Sequence, residues 1–541
     1  MDSRHKSQSH GGGCAICNAG PDAAGAKAKN PISPTRRRFL REAIKTPALA
    51  GAALASPALL AACDSDNSAR RESSRFASGE FVVRAGWALT YDGGNAREGD
   101  LRLVRGADIL VRNGFIEDVS SSPIRGFEVL DASDQLVLPG FISGHTHVAG
   151  GSSTRGIIEN GRSFARPLEL AENLYDDELD ALTAFNLAEL LLSGCTTQVE
   201  QSLSLRQAQS YVRVARRWGV RGYPAGMVPG IGRLFPIWFR GNDQTLFDSV
   251  PDTLAEIDAN LTFARSVNGI ENGRILPMLA PHATDTQTPE TLRAIAAGAA
   301  ELGNGIHIHL SQSMGETETV KRLWGVTPTQ WIEQYGFFDG PLFAAHMSGI
   351  DLDVDPDIMN ANGGVYAHCP SAGGAGGGTQ PYPETLAKGM NVNIGIDTHS
   401  NDYVENLKLA VLYGQARYSL LAGSGTDMRS PTMWDAVRGA TLTAAEGLGR
   451  EDLGRIQPGA KADLTGIKVD GPLIGTGALP PEPLNNLLYA HGLAVRTVMT
   501  DGYLQVLEGS FVADDFAAVA SEGGAVTRKL WGQLEAEGFF D

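Results

Sequence analysis

The chain is 541 residues long, 42% hydrophobic and 20% charged, enough for one large domain and a smaller one. A formal charge of −17 argues against nucleic acid as a partner, because phosphate binding needs a basic face. Five cysteines in this length provide no disulfide framework, and Cys195 and Cys369 read as buried single thiols.

The N-terminus departs from that average, with 9 Lys or Arg against 3 Asp or Glu in residues 1–63. "TRRRFLR" (Thr35 to Arg41) precedes the weakly apolar, Ala-rich run "EAIKTPALAGAALASPALLAAC". A charged start, a short apolar stretch and small residues at the end read as an export signal. Lys45 and the modest hydrophobicity set this run apart from a membrane-spanning helix. The arginine pair resembles the twin-arginine signal, and "LAAC" (Leu60 to Cys63) resembles a bacterial lipobox. These resemblances imply handling by the twin-arginine export machinery and a periplasmic location. They also imply a lipid anchor at Cys63 as the route to the membrane, with Asp64 favouring the inner membrane. Cys14 and Cys17, a lone C-x-x-C upstream, make a weak zinc site.

Residues 64–79 are polar and suit a tether. Short β segments with Gly and Asp turns then fill residues 80–138. From residue 139 to 450, β-rich runs alternate with amphipathic helical stretches such as "DELDALTAFNLAELLLSG". The eight runs are "FISGHTH", "TTQVEQ", "VRGYPAGMV", "RILPMLAPH", "GIHIHLS", "LFAAHMS", "GVYAHCPS" and "NVNIGIDTHS". Eight strand–helix repeats predict an α/β fold, a (β/α)₈ TIM barrel, a design that typically takes ~250 residues. The β texture returns over residues 451–512, before a helical tail at 513–541, so one small β-sandwich domain is expected from both flanks of the barrel.

Six of these runs end in His or Asp: His145 with His147, His282, His309, His346, His368 and Asp397. In a barrel, residues at the C-terminal strand ends converge on one pocket. Imidazole nitrogen and carboxylate oxygen suit zinc or iron. In "GHTHV", His145 and His147 lie two apart on a strand end and face one side, so both can reach one ion.

"LPGFISGHTH", "HIHL", "AAH", "AHCPS", "GIDTHSND" and the closing "ADLTGIKVD" resemble the amidohydrolase superfamily, in the branch of chlorotriazine hydrolases and cytosine- or adenosine-type deaminases. The resemblance covers residues 80 to 510 and implies a distorted barrel with a β-sandwich from both termini. It implies one divalent ion, Zn²⁺ or Fe²⁺, held by His145, His147, His309 and Asp397. Asp397 would move the water proton, and His346 would polarise the attacked centre. His282, Gln312 and His368 join His346 on the side of a small-molecule substrate. No lysine ends the fourth strand, where binuclear members place a carboxylated one, which also favours a single ion.

Two departures bear on the reaction. Gln312 stands where this branch has the general-acid Glu of His-x-x-Glu, and an amide cannot deliver a proton at neutral pH. That shifts weight from ring deamination, which needs the acid, towards hydrolysis of an amide, urea or lactam. Deamination or dechlorination of a nitrogen heterocycle is the alternative, with Glu316 or Glu318 as substitute acids unless both are helix-start residues. A non-catalytic exported binding lipoprotein is the alternative of another class, disfavoured by so complete a ligand set. The second departure is the glycine run Gly373–Gly378 after "HCPSA", an altered specificity loop. "GIGRLFPIWFRGND" (Gly230 to Asp243) reads as barrel packing or as an apolar pocket wall. "GIIENGRSFARPLELAENLYDD", after the first barrel strand, reads as a lid, and His307 as a hydrogen-bonded core histidine. Oligomeric state is open, a homo-oligomer included.

Overall fold

A computed structural model describes residue 69 and residues 73–92, 101–238, 241–375, 379–475 and 482–541. Arg36, Arg37, Cys63, Asp64 and the Cys14–Cys17 pair lie outside the described residues, as do most of the tether, Phe239 and Gly376–Gly378.

The two flanks meet in one eight-stranded sheet. Its first part is β1 (Glu80–Tyr91), β2 (Leu101–Arg112), β3 (Phe115–Ser120) and β4 (Glu128–Pro139). The barrel strands follow as β5 (Phe141–Thr146), β6 (Cys195–Ser202), β7 (Arg221–Val228), β8 (Ala280–Pro281), β9 (Ile306–Leu310), β10 (Leu342–His346), β11 (Val365–His368) and β12 (Asn391–Ile394). β13 (Leu464–Lys468), β14 (Val495–Thr500), β15 (Tyr503–Leu507) and β16 (Ser510–Phe511) return to the flanking sheet, whose order is β16-β15-β14-β13-β4-β1-β2-β3. Phe81, Ile109, Leu130, Leu464, Met499 and Leu507 share one apolar core within it. Both flanks thus build one β domain, as the sequence predicts, and a bridge from Phe115 to Lys461 brings β3 back to the segment before β13, curling the sheet over that core.

Each of the eight runs becomes a barrel strand, although the fourth is only two residues long. Most have every residue buried, as parallel strands covered on both faces should. Two parallel quartets form, β5-β6-β7-β8 and β9-β10-β11-β12. Isolated parallel bridges, Leu279 to Ile306, Ala283 to His309 and Thr146 to Asp397, close them into a ring. The last of these places the His-x-His strand end beside Asp397. Gly144 permits that closure. Its N–H donates to Asn393 Oδ1 at 2.6 Å, and a Cβ there would lie 2.2 Å from the same oxygen. Asn393 Nδ2 also donates to the carbonyls of Ile142 and Gly439 at 2.9 Å each.

Barrel and sheet are tied by a buried ion cluster. Arg221, at the start of β7, donates to Asp463 at 2.8 and 3.2 Å and to Asp501 at 2.6 Å. The helix Phe516–Ala536 packs on the helix Asp176–Leu192 and reaches the segment after β5, where Trp531 Nε1 donates to the Ser153 carbonyl at 3.1 Å. Among the described residues, no helix is long and apolar enough to cross a membrane.

Candidate metal and catalytic site

The ring delivers its ionisable residues to one end. His145 lies on β5 with His147 just beyond it, and His282 follows β8 directly. His309 lies on β9, His346 and His368 close β10 and β11, and Asp397 comes three residues after β12. Several strand ends leave the extended conformation to do this: φ is +46° at Ser311, +74° at His346 and +68° at Asp397. Left-handed backbone at non-glycine residues costs ~1–3 kcal/mol each and clusters where function imposes a geometry.

Carbonyl partners fix the proton pattern of the first histidines. His147 Nδ1 bonds the Gln201 carbonyl, and His309 Nδ1 donates to the His282 carbonyl at 2.7 Å. A carbonyl only accepts, so both Nδ1 atoms carry protons and both Nε2 atoms present lone pairs. Those two Nε2 atoms are 3.2 Å apart. Asp397 Oδ1 lies 3.8 Å from His145 Nε2 and 3.6 Å from His147 Nε2, and its Oδ2 lies 3.7 Å from His346 Nε2. No described side chain donates a hydrogen bond to either oxygen of Asp397, and the residue is 1% exposed.

Charges respond to this burial. Desolvation lowers His147 to about 4 despite its carbonyl partner. For His145 and His309, burial and then neighbouring imidazoles lower the pKa further. Burial pushes Asp397 up to about 7, partly offset by the Thr398 backbone N–H. Neutral imidazole lone pairs around an unpartnered carboxylate are the donor set of a divalent cation, and the residues fit zinc or a similar ion. His145, His147 and His309 form one cluster of suitable donors, and His145, His346 and Asp397 another, each with donor atoms within 4.8 Å of one another.

The remaining predicted residues surround this cluster. His282 Nδ1 pairs with Thr286 Oγ1 at 3.1 Å, and its ring meets Trp238 edge-on at 4.8 Å. His346 stacks on His309 at 5.2 Å, and His368 stacks on Tyr382 at 4.7 Å. Gln312 is buried behind His309, and its backbone N–H donates to Glu316 Oε2 at 2.7 Å. Glu316 Oε1 also accepts from the Thr284 N–H at 3.1 Å and from its hydroxyl. The Glu316 carboxyl is thus held by the Gln312 N–H before its helix and by Thr284 after β8, and burial with the neighbouring Asp285 pushes it up to about 8. Glu318 is exposed. Glu316 lies in the first turn of the helix Met314–Trp324, as the spacing allowed, whereas Glu318 lies beyond that turn.

Two open readings of loops resolve together. Ile158, Phe164 and Leu168 of the segment after β5 pack with Leu234 and Phe235 of the segment after β7, against Trp238 and Ala375. Phe235 is thus packing, whereas Trp238 walls the site at His282. The segment after β5 packs against the Trp238 side of the site, and none of the four expected ligands exceeds 4% exposure.

Sequence reasoning missed two participants, and it read His307 as a hydrogen-bonded core histidine without naming its partner. His307 donates to or accepts from His145 Nδ1 at 2.8 Å, so this core histidine orients a ligand. Asp285 pairs with Trp238 Nε1 at 3.0 Å, and burial raises its carboxyl to about 6. Gln380, beyond the glycine run, touches both His346 and His368. The His-x-His spacing on β9 was a usable signal for His307; nothing in the spacing marked the other two.

Comparison with known proteins agrees with this geometry. The model for the amidohydrolase family matches residues 136–504. A 5-methylthioadenosine/S-adenosylhomocysteine deaminase of Desulfitobacterium hafniense is 30% identical over 412 residues, covering 73% of this chain and 86% of that protein. The protein of the same description from Moorella thermoacetica is 31% identical over 420 residues, covering 74% and 88%. Among solved structures, an adenosine deaminase from Xanthomonas campestris with bound zinc superposes with a TM-score of 0.67 at 19% identity, covering 84% of this chain and 99% of that one. The zinc complex of an atrazine chlorohydrolase from Arthrobacter aurescens gives 0.68 at 21% identity, covering 83% and 100%. At those identities the structural likeness establishes the fold, a distorted barrel with an added sheet domain. The family match and the 30% relatives go further: the chain belongs to the amidohydrolase family, and it is a metal-dependent hydrolase of C–N bonds in small molecules.

Proposed function

We propose that the chain hydrolyses an amide, urea or lactam bond of a small organic substrate with one zinc ion held by His145, His147, His309 and Asp397. The observation that carries the choice of bond is Gln312, an amide at the position from which an acid would protonate a leaving ring nitrogen. A bound divalent ion would supply an activated water near neutral pH and polarise the carbonyl. Asp397, buried and with no side-chain donor on either oxygen, is placed to accept the water proton and return it to the leaving nitrogen. His346 donates a hydrogen bond to the oxygen that gains charge, a task for a neutral imidazole lowered to about 3 by burial. Gln312 and His282 hold the substrate's polar edge. Trp238 and the segment after β5 exclude water.

The second reading is deamination of a purine-type heterocycle, favoured by the deaminases at 30% identity. One preparation lacking residues 1–63 separates the two. Metal content and turnover are measured on anilides, ureas, lactams and adenosine-type heterocycles, beside Gln312→Glu. One ion per chain and cleavage of amides or ureas are expected, with heterocycle turnover gained only in the Glu variant. Ammonia release from heterocycles alone in the wild type would give the deaminase reading the site.

We further propose twin-arginine export and lipid anchoring at Cys63, on the motifs of residues 35–63. Replacing Arg36 and Arg37 by Lys should trap activity in the cytoplasmic fraction; unchanged export would sink this proposal.

A further inference from the structure

Gln380 sits on the far side of the glycine run and is 3% exposed. Its Oε1 lies 2.9 Å from the Cys369 backbone nitrogen and 2.9 Å from His368 Nδ1, with the Tyr366 hydroxyl at 3.3 Å. Its Nε2 lies 3.2 Å from His346 Nδ1.

These contacts settle which atoms hold protons. A backbone N–H can only donate, so the end of the amide that faces Cys369 is the oxygen. The opposite end is then the NH₂, which can only donate, so His346 Nδ1 must be the acceptor. A neutral imidazole has one N–H, and for His346 it is on Nε2, the atom 3.7 Å from Asp397 Oδ2. The same logic runs the other way for His368. Its Nδ1 lies 2.9 Å from an oxygen that only accepts and 3.1 Å from the Tyr366 hydroxyl, whose own proton goes to that same oxygen, so Nδ1 carries the proton and Nε2 keeps a lone pair. Neither His346 Nε2 nor His368 Nε2 has a hydrogen-bond partner among the described residues.

We propose that Gln380 is a positioning residue that sets the protons of two site histidines, making His346 a donor and His368 an acceptor at Nε2. The inference rests on the reading of His346 as the group that polarises the substrate and deepens it. Such a donor faces the substrate atom that gains negative charge, whereas the His368 lone pair faces an N–H or O–H of the substrate. A protonated Nε2 also cannot ligate an ion. That distinguishes the two overlapping donor clusters: His346 is excluded from ligation through Nε2, and Asp397 completes the cluster of His145, His147 and His309.

The test is ¹⁵N NMR of the metal-loaded, ¹⁵N-histidine-labelled protein. The signals are assigned with His346→Asn and His368→Asn and compared with Gln380→Glu and Gln380→Met. The wild type should show His346 protonated at Nε2 and His368 at Nδ1. A carboxylate at 380 only accepts, so Gln380→Glu should move the His346 proton to Nδ1. On whichever substrate the wild type turns over, kcat should then fall on the order of 100-fold with KM changed less than about threefold. Gln380→Met, matched in volume, should give mixed tautomers and a smaller loss. A wild-type His346 protonated at Nδ1, or a folded Gln380→Glu protein with the wild-type tautomer and kcat, overturns the proposal. The wild-type spectrum decides even where a variant does not fold, and it needs no substrate. Expected tautomers without amide or urea turnover would therefore count against the proposed function alone.

Discussion

Replacing Asp397 by Asn should stabilise the protein without metal and destabilise it with metal. In the folded chain Asp397 is buried, neither oxygen has a donor from a side chain, and burial raises its pKa from 3.8 to about 7. That rise of about 3 units, at ~1.4 kcal/mol each, costs about 4 kcal/mol once the carboxyl is ionised. The sign follows from linkage. The unfolded Asp ionises near pH 4 and the folded one only near 7, so the cost is absent below pH 4, grows between 4 and 7, and is complete above 7. A neutral acid and an amide lack partners equally here, so that penalty cancels in the comparison. With a chelator at pH 8, the Asn variant should unfold about 4 °C higher than the wild type, taking about 1 kcal/mol per degree for a chain of this length. At pH 5 the difference should shrink to about 1–2 °C. In zinc at about 10,000 times its Kd the order should invert, because the ion then contributes ~5.5 kcal/mol that the variant largely forfeits, more than the cost of the buried carboxylate. Thermal unfolding followed by circular dichroism, with and without chelator at both pH values, reads all four combinations. An Asn variant less stable than wild type in the chelator at pH 8 would refute the reasoning, because Asp397 would then be satisfied without a cation.

Arg221→Met should cost ~3–5 kcal/mol in urea unfolding, because it strips the buried Asp463 of its guanidinium and leaves Asp501 only Arg274 and Lys461 in the joint between barrel and sheet. Burial raises Asp501, but Arg221, Lys461 and Arg274 outweigh it and hold its pKa below 3.8, so the deficit should narrow as pH falls through that range. Trp238→Ala should raise KM more than it lowers kcat in steady-state kinetics, since the ring walls the site at His282 without touching the metal donors. Arg166→Ala removes the pair with Glu537 at 2.6 Å, which is partly exposed, so stability should change by under ~1 kcal/mol. Limited proteolysis of residues 156–172 should nevertheless accelerate if that pair holds the segment down.

The barrel was legible because its strands are short, apolar and closed by polar residues, a pattern that few other parallel architectures produce. The His-x-His pair was legible for a related reason: two imidazoles on one face of a strand end are costly to bury without a shared task. The flanking β domain was legible as such, but its strand order was not, because the pairing of β4 with both β1 and β13 joins segments more than 300 residues apart. Asp285 was hidden for want of any local pattern, since its role depends on Trp238, 47 positions away.

Gln312 and Gln380 show how far residue identity alone reaches. Read singly, Gln312 is a lost acid and Gln380 an unremarkable polar residue after glycines. Neither amide can give up a proton, yet they do opposite things to the proton inventory of the site. The first removes a donor that could ionise. The second fixes donors that cannot wander, because its oxygen is pinned by the Cys369 N–H and its nitrogen must then face His346. Under the proposed function, proton transfer in this site falls to Asp397, and hydrogen-bond polarisation to His346. That division suits a leaving group that takes its proton late, as an acyclic amide nitrogen does, better than a ring nitrogen that needs protonation during attack.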